Sequence, residues 1–170
     1  MKGILIIDHG SMKEAANHML DCVGELVQRM AGEGVIVRVA HMELAAPTIA
    51  EGFAACVAAG ATEIVAFPYM LSPGKHSTRD IPRMVAAISA EHPGIPVQVT
   101  TAFGVNEQLA AVVLAKSGVA LAARVDPRRC ERPAGTPERY CGDGCAENNA
   151  PATLRLTESL TESLTESLTG

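Results

Sequence analysis

The stretch Val65-Ala66-Phe67-Pro68-Tyr69-Met70-Leu71-Ser72-Pro73-Gly74-Lys75-His76-Ser77-Thr78-Arg79-Asp80-Ile81-Pro82 decides how the rest of the chain is read. An apolar run of strand character passes through a turn rich in proline and glycine, reaches a histidine among hydroxyl and charged groups, and starts a helix. Parallel α/β proteins present chemical groups in this way, in the crevice outside the carboxyl ends of their strands.

Working outward, the same order of strand, turn and helix recurs on both sides. Gly3 to Ile7 is a continuous aliphatic run ending in Asp8-His9-Gly10-Ser11, which predicts a buried first strand and a tight turn. From Met12 to about Ala31, Ala15, Met19, Val23, Leu26 and Met30 recur at steps of three and four. They predict an amphipathic helix capped by Ser11 and ended by Gly32 and Gly34. Val35 to Met42 is β-branched enough for a second strand, which delivers Glu43. Pro47 suits the first turn of a second helix that runs to about Ala59 and stops at Gly60. Glu63 to Pro68 is the third strand, and Asp80 to about Glu91 the third helix, closed by His92-Pro93-Gly94. Ile95 to Thr101 and Asn106 to about Lys116 make the fourth pair. Four such units predict a doubly wound four-stranded parallel sheet, order 2-1-3-4, with helices on both faces.

Composition agrees with one core. The chain has 170 residues, 48% of them hydrophobic but only 3% aromatic, so Ala, Val, Ile, Leu and Met must fill the interior, as in helix-covered sheets. A formal charge of −5 speaks against nucleic acid or an anionic membrane as a general partner. The apolar run at the N-terminus is too short for a signal or a membrane span and ends at Asp8, so a cytoplasmic protein is expected. The odd number of cysteines, five, argues against a secreted disulfide framework.

The chain divides into an α/β domain over residues 1–123 and a tail over 124–170. Past Arg124 come basic residues, Cys130, Cys141 and Cys145, glycines, and then a leucine repeat from Leu156 to Leu168. No compact element is expected there, and a low-complexity disordered tail is favoured over a partner-binding helix, because Ser and Thr at every second place weaken the helix. The three cysteines fit no standard zinc or iron–sulfur spacing, so unpaired thiols are favoured over a tail cluster or a scavenged soft metal.

With the order 2-1-3-4, His9, Glu43 and His76 fall at the ends of three neighbouring strands. Two imidazoles and a carboxylate suit a divalent first-row transition metal, and both residue types accept protons. A lone histidine after a strand is more often an ordinary loop residue; it is the three matching positions that favour joint function. His41, two positions before Glu43, shares its face but lies deeper, and His18 and His92 sit in helical or helix-end contexts at the surface. Lys75, Ser77, Thr78 and Arg79 surround His76 at a helix start, where free N–H groups and the helix dipole attract anions such as carboxylates. No G-x-x-x-x-G-K-[ST] loop, no G-x-G-x-x-G after the first strand and no G-x-S-x-G elbow is present.

Three blocks in this order carry a resemblance: Asp8-His9-Gly10-Ser11, Met42-Glu43-Leu44-Ala45-Ala46-Pro47-Thr48-Ile49, and Phe67 to Leu71 leading into Gly74 to Pro82. Over roughly Met1 to Leu121 the chain resembles the small CbiX-type class II chelatases, which insert a divalent metal into sirohydrochlorin for cobalamin, sirohaem or related nickel cofactors. The resemblance implies a chelatase-like fold, a nucleotide-independent lyase activity and a homodimer whose halves enclose the macrocycle. It makes His9 and His76 the metal-binding histidines and Glu43 a ligand or proton acceptor. Substrate carboxylates are expected to meet Lys75, Ser77, Thr78 and Arg79, with Ser11 beside His9 counted among the contacts. No cofactor is implied beyond the metal substrate, Co²⁺ first, then Fe²⁺ or Ni²⁺. The chain departs from the pattern at Val105, where many relatives carry a histidine, and at Asp8, where glycine is more usual. The competing expectation is a metal or tetrapyrrole carrier that uses the same histidines without turnover.

Overall fold

A computed structural model describes residues 1–124 and the backbone of Leu154–Arg155. Four parallel strands, β1 (Lys2–Asp8), β2 (Val35–His41), β3 (Glu63–Pro68) and β4 (Val97–Val99), alternate with helices α1 (Glu14–Ala31), α2 (Ile49–Ala58), α3 (Ile81–Ala90) and α4 (Glu107–Lys116). The order β2-β1-β3-β4 is the expected one, with β1 paired to both neighbours along its length. A further short strand, β5 (Leu154–Arg155), lies antiparallel to β4, where no element was expected. The remainder of the tail, with Cys130, Cys141, Cys145 and the leucine repeat, lies outside the described residues.

Alternation along the strands separates two apolar layers. Leu5 and Ile7 of β1 join Ala40, Ile64, Ala66 and Val99 under α2 and α3, where Phe53, Ile81 and Val85 are fully buried. Each such aliphatic side chain, taken wholly out of water, contributes about 1.5–3 kcal/mol. On the opposite face Ile6 packs with Val37 and Leu20 of α1, and Phe67 and Tyr69 are half-buried around them. Helix and sheet approach closely through glycines. A Cβ at Gly24 of α1 would stand 2.5 Å from Val39 Cγ1, and one at Gly52 of α2 would stand 2.8 Å from Leu5 Cδ1.

Three local expectations need correction. In α1 the buried residues are Leu20 and Gly24, whereas Met19, Leu26 and Met30 of the predicted stripe are exposed. The helix carries two apolar stripes, and close approach at Gly24 selects the one that can lie against β2. Ser11 does not cap α1, which starts at Glu14 after Lys13; its hydroxyl accepts from Lys13 N–H instead, at 3.0 Å. Pro47 precedes α2 rather than entering it. Thr48 is the cap, and with Glu51 it forms a reciprocal capping box.

Candidate active site

The β1 end places His9 in the middle of the sheet edge. The backbone there continues the pairing of β1 with β2: Met42 N–H donates to the Asp8 carbonyl at 2.9 Å, and Glu43 N–H to the His9 carbonyl at 3.0 Å. Gly10 turns the chain at φ +81°, where a Cβ would come within 2.0 Å of the Glu43 carbonyl oxygen. Only glycine fits such a contact. Asn17 then clasps the turn, accepting from Ser11 N–H and donating to the Ser11 carbonyl, both at 2.9 Å.

The loop after β3 is built by its own side chains. Ser77, 4% exposed, accepts from Gly74 N–H at 3.0 Å and donates to the Gly74 carbonyl at 3.2 Å. Thr78 Oγ1 donates to the same carbonyl at 2.9 Å. The chain then winds through a π-helical turn, His76–Asp80, directly into α3. A turn of this kind, common at functional sites, was not legible in the sequence. It sets His76 and Asp80 side by side, with His76 Nδ1 donating to Asp80 Oδ2 at 3.0 Å. Arg79 binds the other oxygen of Asp80 through Nε at 3.0 Å and its terminal nitrogen at 2.9 Å. The Arg79 hydrogen bond, and after it that from His76, holds the Asp80 carboxyl below the usual carboxylate range against partial desolvation.

These two loops bring His9 and His76 together, with ring centroids 5.1 Å apart and planes at 70°. Both rings have Nδ1 against an oxygen that can only accept: the Gly10 carbonyl at 3.2 Å for His9 and Asp80 for His76. In the neutral form of each ring Nδ1 is therefore the nitrogen that carries the proton, and Nε2 is the one with a lone pair to offer. Two nitrogens each about 2.1 Å from one ion are at most about 4.2 Å apart, a span that rings this close can meet. An outer acceptor on each ligating imidazole is the usual arrangement around a bound metal.

Of the three groups expected together, His9 and His76 meet. Glu43 is exposed beside His9, but among the described residues no three His, Cys, Asp or Glu side chains gather closely enough to hold a metal ion. Lys75 and Arg79 are exposed, whereas the Ser77 hydroxyl is consumed within its loop. His92 stacks at 5.1 Å on Phe53 and takes no part, and Cys56 is a core residue whose thiol burial pushes up to about 11. Asp8 and His41, which carry no expected role, meet directly: His41 Nδ1 stands 2.6 Å from Asp8 Oδ1. Among the described residues no helix is long and apolar enough to cross a membrane.

The CbiX family model matches residues 3–118. The sirohydrochlorin ferrochelatase of Arabidopsis thaliana, named as chloroplastic, is 40% identical over 111 residues that cover 65% of this chain and 49% of that protein. A sirohydrochlorin cobaltochelatase of Methanosarcina barkeri is 29% identical over 126 residues, 70% of this chain and 96% of that one. Among solved structures, the sirohydrochlorin chelatase SirB of Bacillus subtilis subspecies spizizenii in complex with cobalt matches with a TM-score of 0.64 and 29% identity, covering 69% of this chain and 50% of that one. The chain thus spans about half the length of the Arabidopsis and Bacillus proteins.

Proposed function

The chain belongs to the CbiX family, and from that premise we propose that it inserts a divalent metal into sirohydrochlorin, with Co²⁺ as the first candidate and Fe²⁺ and Ni²⁺ as alternatives. The observation that carries the proposal is the meeting of His9 and His76 at 5.1 Å, with Nδ1 of each ring against an oxygen acceptor. Two neutral imidazoles hold such ions while leaving coordination positions open for pyrrole nitrogens. Names of relatives support both cobalt and iron, and the donor set suits either.

Insertion exchanges two pyrrole protons for the metal, with no change of redox state and no nucleotide. His9 and His76 pass the ion to the macrocycle, and the exposed carboxylate of Glu43, a residue whose backbone N–H donates to the His9 carbonyl, accepts protons as they leave. Lys75 and Arg79 pair with peripheral carboxylates of the tetrapyrrole, helped by Thr78 and Ser11, while Ser77 shapes the loop that carries them. A second copy of the chain completes the enclosure of the macrocycle. The exposed apolar side chains of Met12, Met19, Leu26 and Met30 support this. We place the reaction in a reducing compartment, supported by an odd set of five cysteines; the Arabidopsis relative is named as chloroplastic.

The test is an absorbance assay with sirohydrochlorin and each metal. Multiple turnovers are expected, together with a rate lost in His76→Ala while circular dichroism stays unchanged. A spectral change that stops at one equivalent makes the protein a carrier, and an undiminished rate in His76→Ala removes that residue from the site.

A further inference from the structure

We propose that Asp8 and His41 form a positioning pair that fixes the His9 loop, an inference that rests on the reading of His9 as a metal ligand. Asp8 and His41 are register partners at the ends of β1 and β2, and side chains at paired positions of adjacent parallel strands point to the same side of the sheet. His41 Nδ1 donates to Asp8 Oδ1 at 2.6 Å, and the same oxygen accepts Gly10 N–H at 2.9 Å. One carboxylate oxygen therefore ties the neighbouring strand to the turn that follows His9. At 2.6 Å the His41 contact is the shorter of the two bonds to that oxygen.

Burial decides which member is the fixed point. His41 is 1% exposed, so its ring cannot swing away into water, whereas the Asp8 side chain is 24% exposed at the edge. His41 anchors Asp8, Asp8 anchors Gly10, and the His9 carbonyl is held independently by Glu43 N–H. Asp8 is thus bound to β2, Gly10 to Asp8, and the His9 carbonyl to the loop after β2. With the Cα of His9 immobilised, the position of Nε2 depends only on the side-chain torsions, which the Gly10 carbonyl restrains through Nδ1. Neither Asp8 nor His41 is placed to touch the macrocycle in this scheme; each acts through Gly10 on His9. Misplacing a reacting group by about 1 Å is enough to cost a large factor in rate.

The experiment compares Asp8→Ala, Asp8→Asn and His41→Phe with the wild-type chain. Co²⁺ binding is followed by visible absorption without tetrapyrrole, steady-state kinetics are measured with sirohydrochlorin, and circular dichroism serves as the fold control. Asp8→Ala removes the shared acceptor and is expected to weaken Co²⁺ binding and kcat by roughly 10–100-fold, the range found for outer partners of metal ligands. Its KM for sirohydrochlorin should stay within about twofold, because peripheral binding is untouched. Asp8→Asn retains an oxygen that accepts from both donors and should lie within about threefold of wild type in both readouts. His41→Phe keeps a buried ring and the Gly10 bond, so an intermediate loss of about three- to tenfold is expected.

Wild-type Co²⁺ binding in Asp8→Ala, or an Asp8→Asn variant as weak as Asp8→Ala, overturns the pair as a hydrogen-bonding device. An unchanged His41→Phe removes His41 from it. If Asp8→Ala does not fold, the other two variants decide. The metal titration separates this inference from the chelatase reading: a wild-type chain that binds Co²⁺ but never turns over defeats the enzyme proposal, while the order of the variants in Co²⁺ affinity still tests the pair.

Discussion

His9 and His76 face one another across 5.1 Å, yet the chain holds them by different means. His9 sits at the end of a central strand, its backbone bonded to the loop after β2 and its neighbour Gly10 pressed against the Glu43 carbonyl. The His76 side chain is 46% exposed, on a loop whose shape comes from Ser77, Thr78 and the Asp80 carboxylate a turn away. Sheet pairing across the chain fixes one histidine, and short-range side-chain bonds fix the other. Damage to the first should spread into the fold, and damage to the second should stay within function.

The largest effect that this contrast predicts is at Gly10. Gly10→Ala would meet the Glu43 carbonyl at 2.0 Å and strain a residue at φ +81°, so stability should fall by about 3 kcal/mol or more in denaturant unfolding, with insertion lost alongside. A variant as stable as wild type would break the claim that the His9 loop is closed by packing. Next comes Asp80→Ala, which removes the acceptor from His76 Nδ1 and should lower Co²⁺ affinity by roughly 10–100-fold. Its denaturant midpoint should stay close to that of wild type, since the ion pairs it breaks are at the surface. A large stability loss there would put both loops in one class.

A smaller effect concerns acid. Asp80 is held below its ordinary value of 3.8, chiefly by Arg79 and then by His76. For a carboxyl whose folded value is lowered, the stabilising bonds are complete above the ordinary value and disappear as pH falls through the folded one. A carbon-13 titration of the Asp80 carboxyl should therefore show a midpoint below 3.8, and Arg79→Met should move it upward. No movement would mean that Arg79 does not set the charge beside His76. Gly74→Ala should have the smallest effect. Nothing lies within 4 Å of a Cβ there, so stability should stay within about 0.5 kcal/mol and the insertion rate near wild type. A pronounced loss would show the second loop to be as tightly packed as the first.

Much of the fold was legible because its signals are local. Aliphatic runs of strand length, breaks at Gly and Pro, and the four repeats of strand and helix led directly to the order β2-β1-β3-β4. The boundaries of β3 agree residue for residue, and Asn106 caps α4 where that helix was expected to begin. The choice of stripe on α1 was not legible. Met19, Leu26 and Met30 match the helical period as well as Leu20 does, and only the contact of Gly24 with Val39 separates the two faces. Hydrophobic periodicity states that a helix has an apolar side, not which of two sides will find a sheet.

At the site, the residue types and their places at strand ends were sequence information: His9, Glu43 and His76 stand where a parallel sheet exposes chemistry. Which of them meet was decided by the folding together of parts remote in the chain. The two imidazoles meet and the carboxylate does not join them in a group of three, Ser77 turns inward, and a π-helical turn sets His76 beside Asp80. Asp8 and His41, separated by 33 positions, become partners only through the register of β1 on β2. A one-residue slip of that register would turn every side chain of the strand to the opposite face. The sequence by itself determined the succession of elements and the chemical groups at their ends, because strand and helix patterns and turn residues act over a few positions. The tertiary structure alone decided which of those groups touch, because contact between strands depends on register and packing summed over the whole sheet.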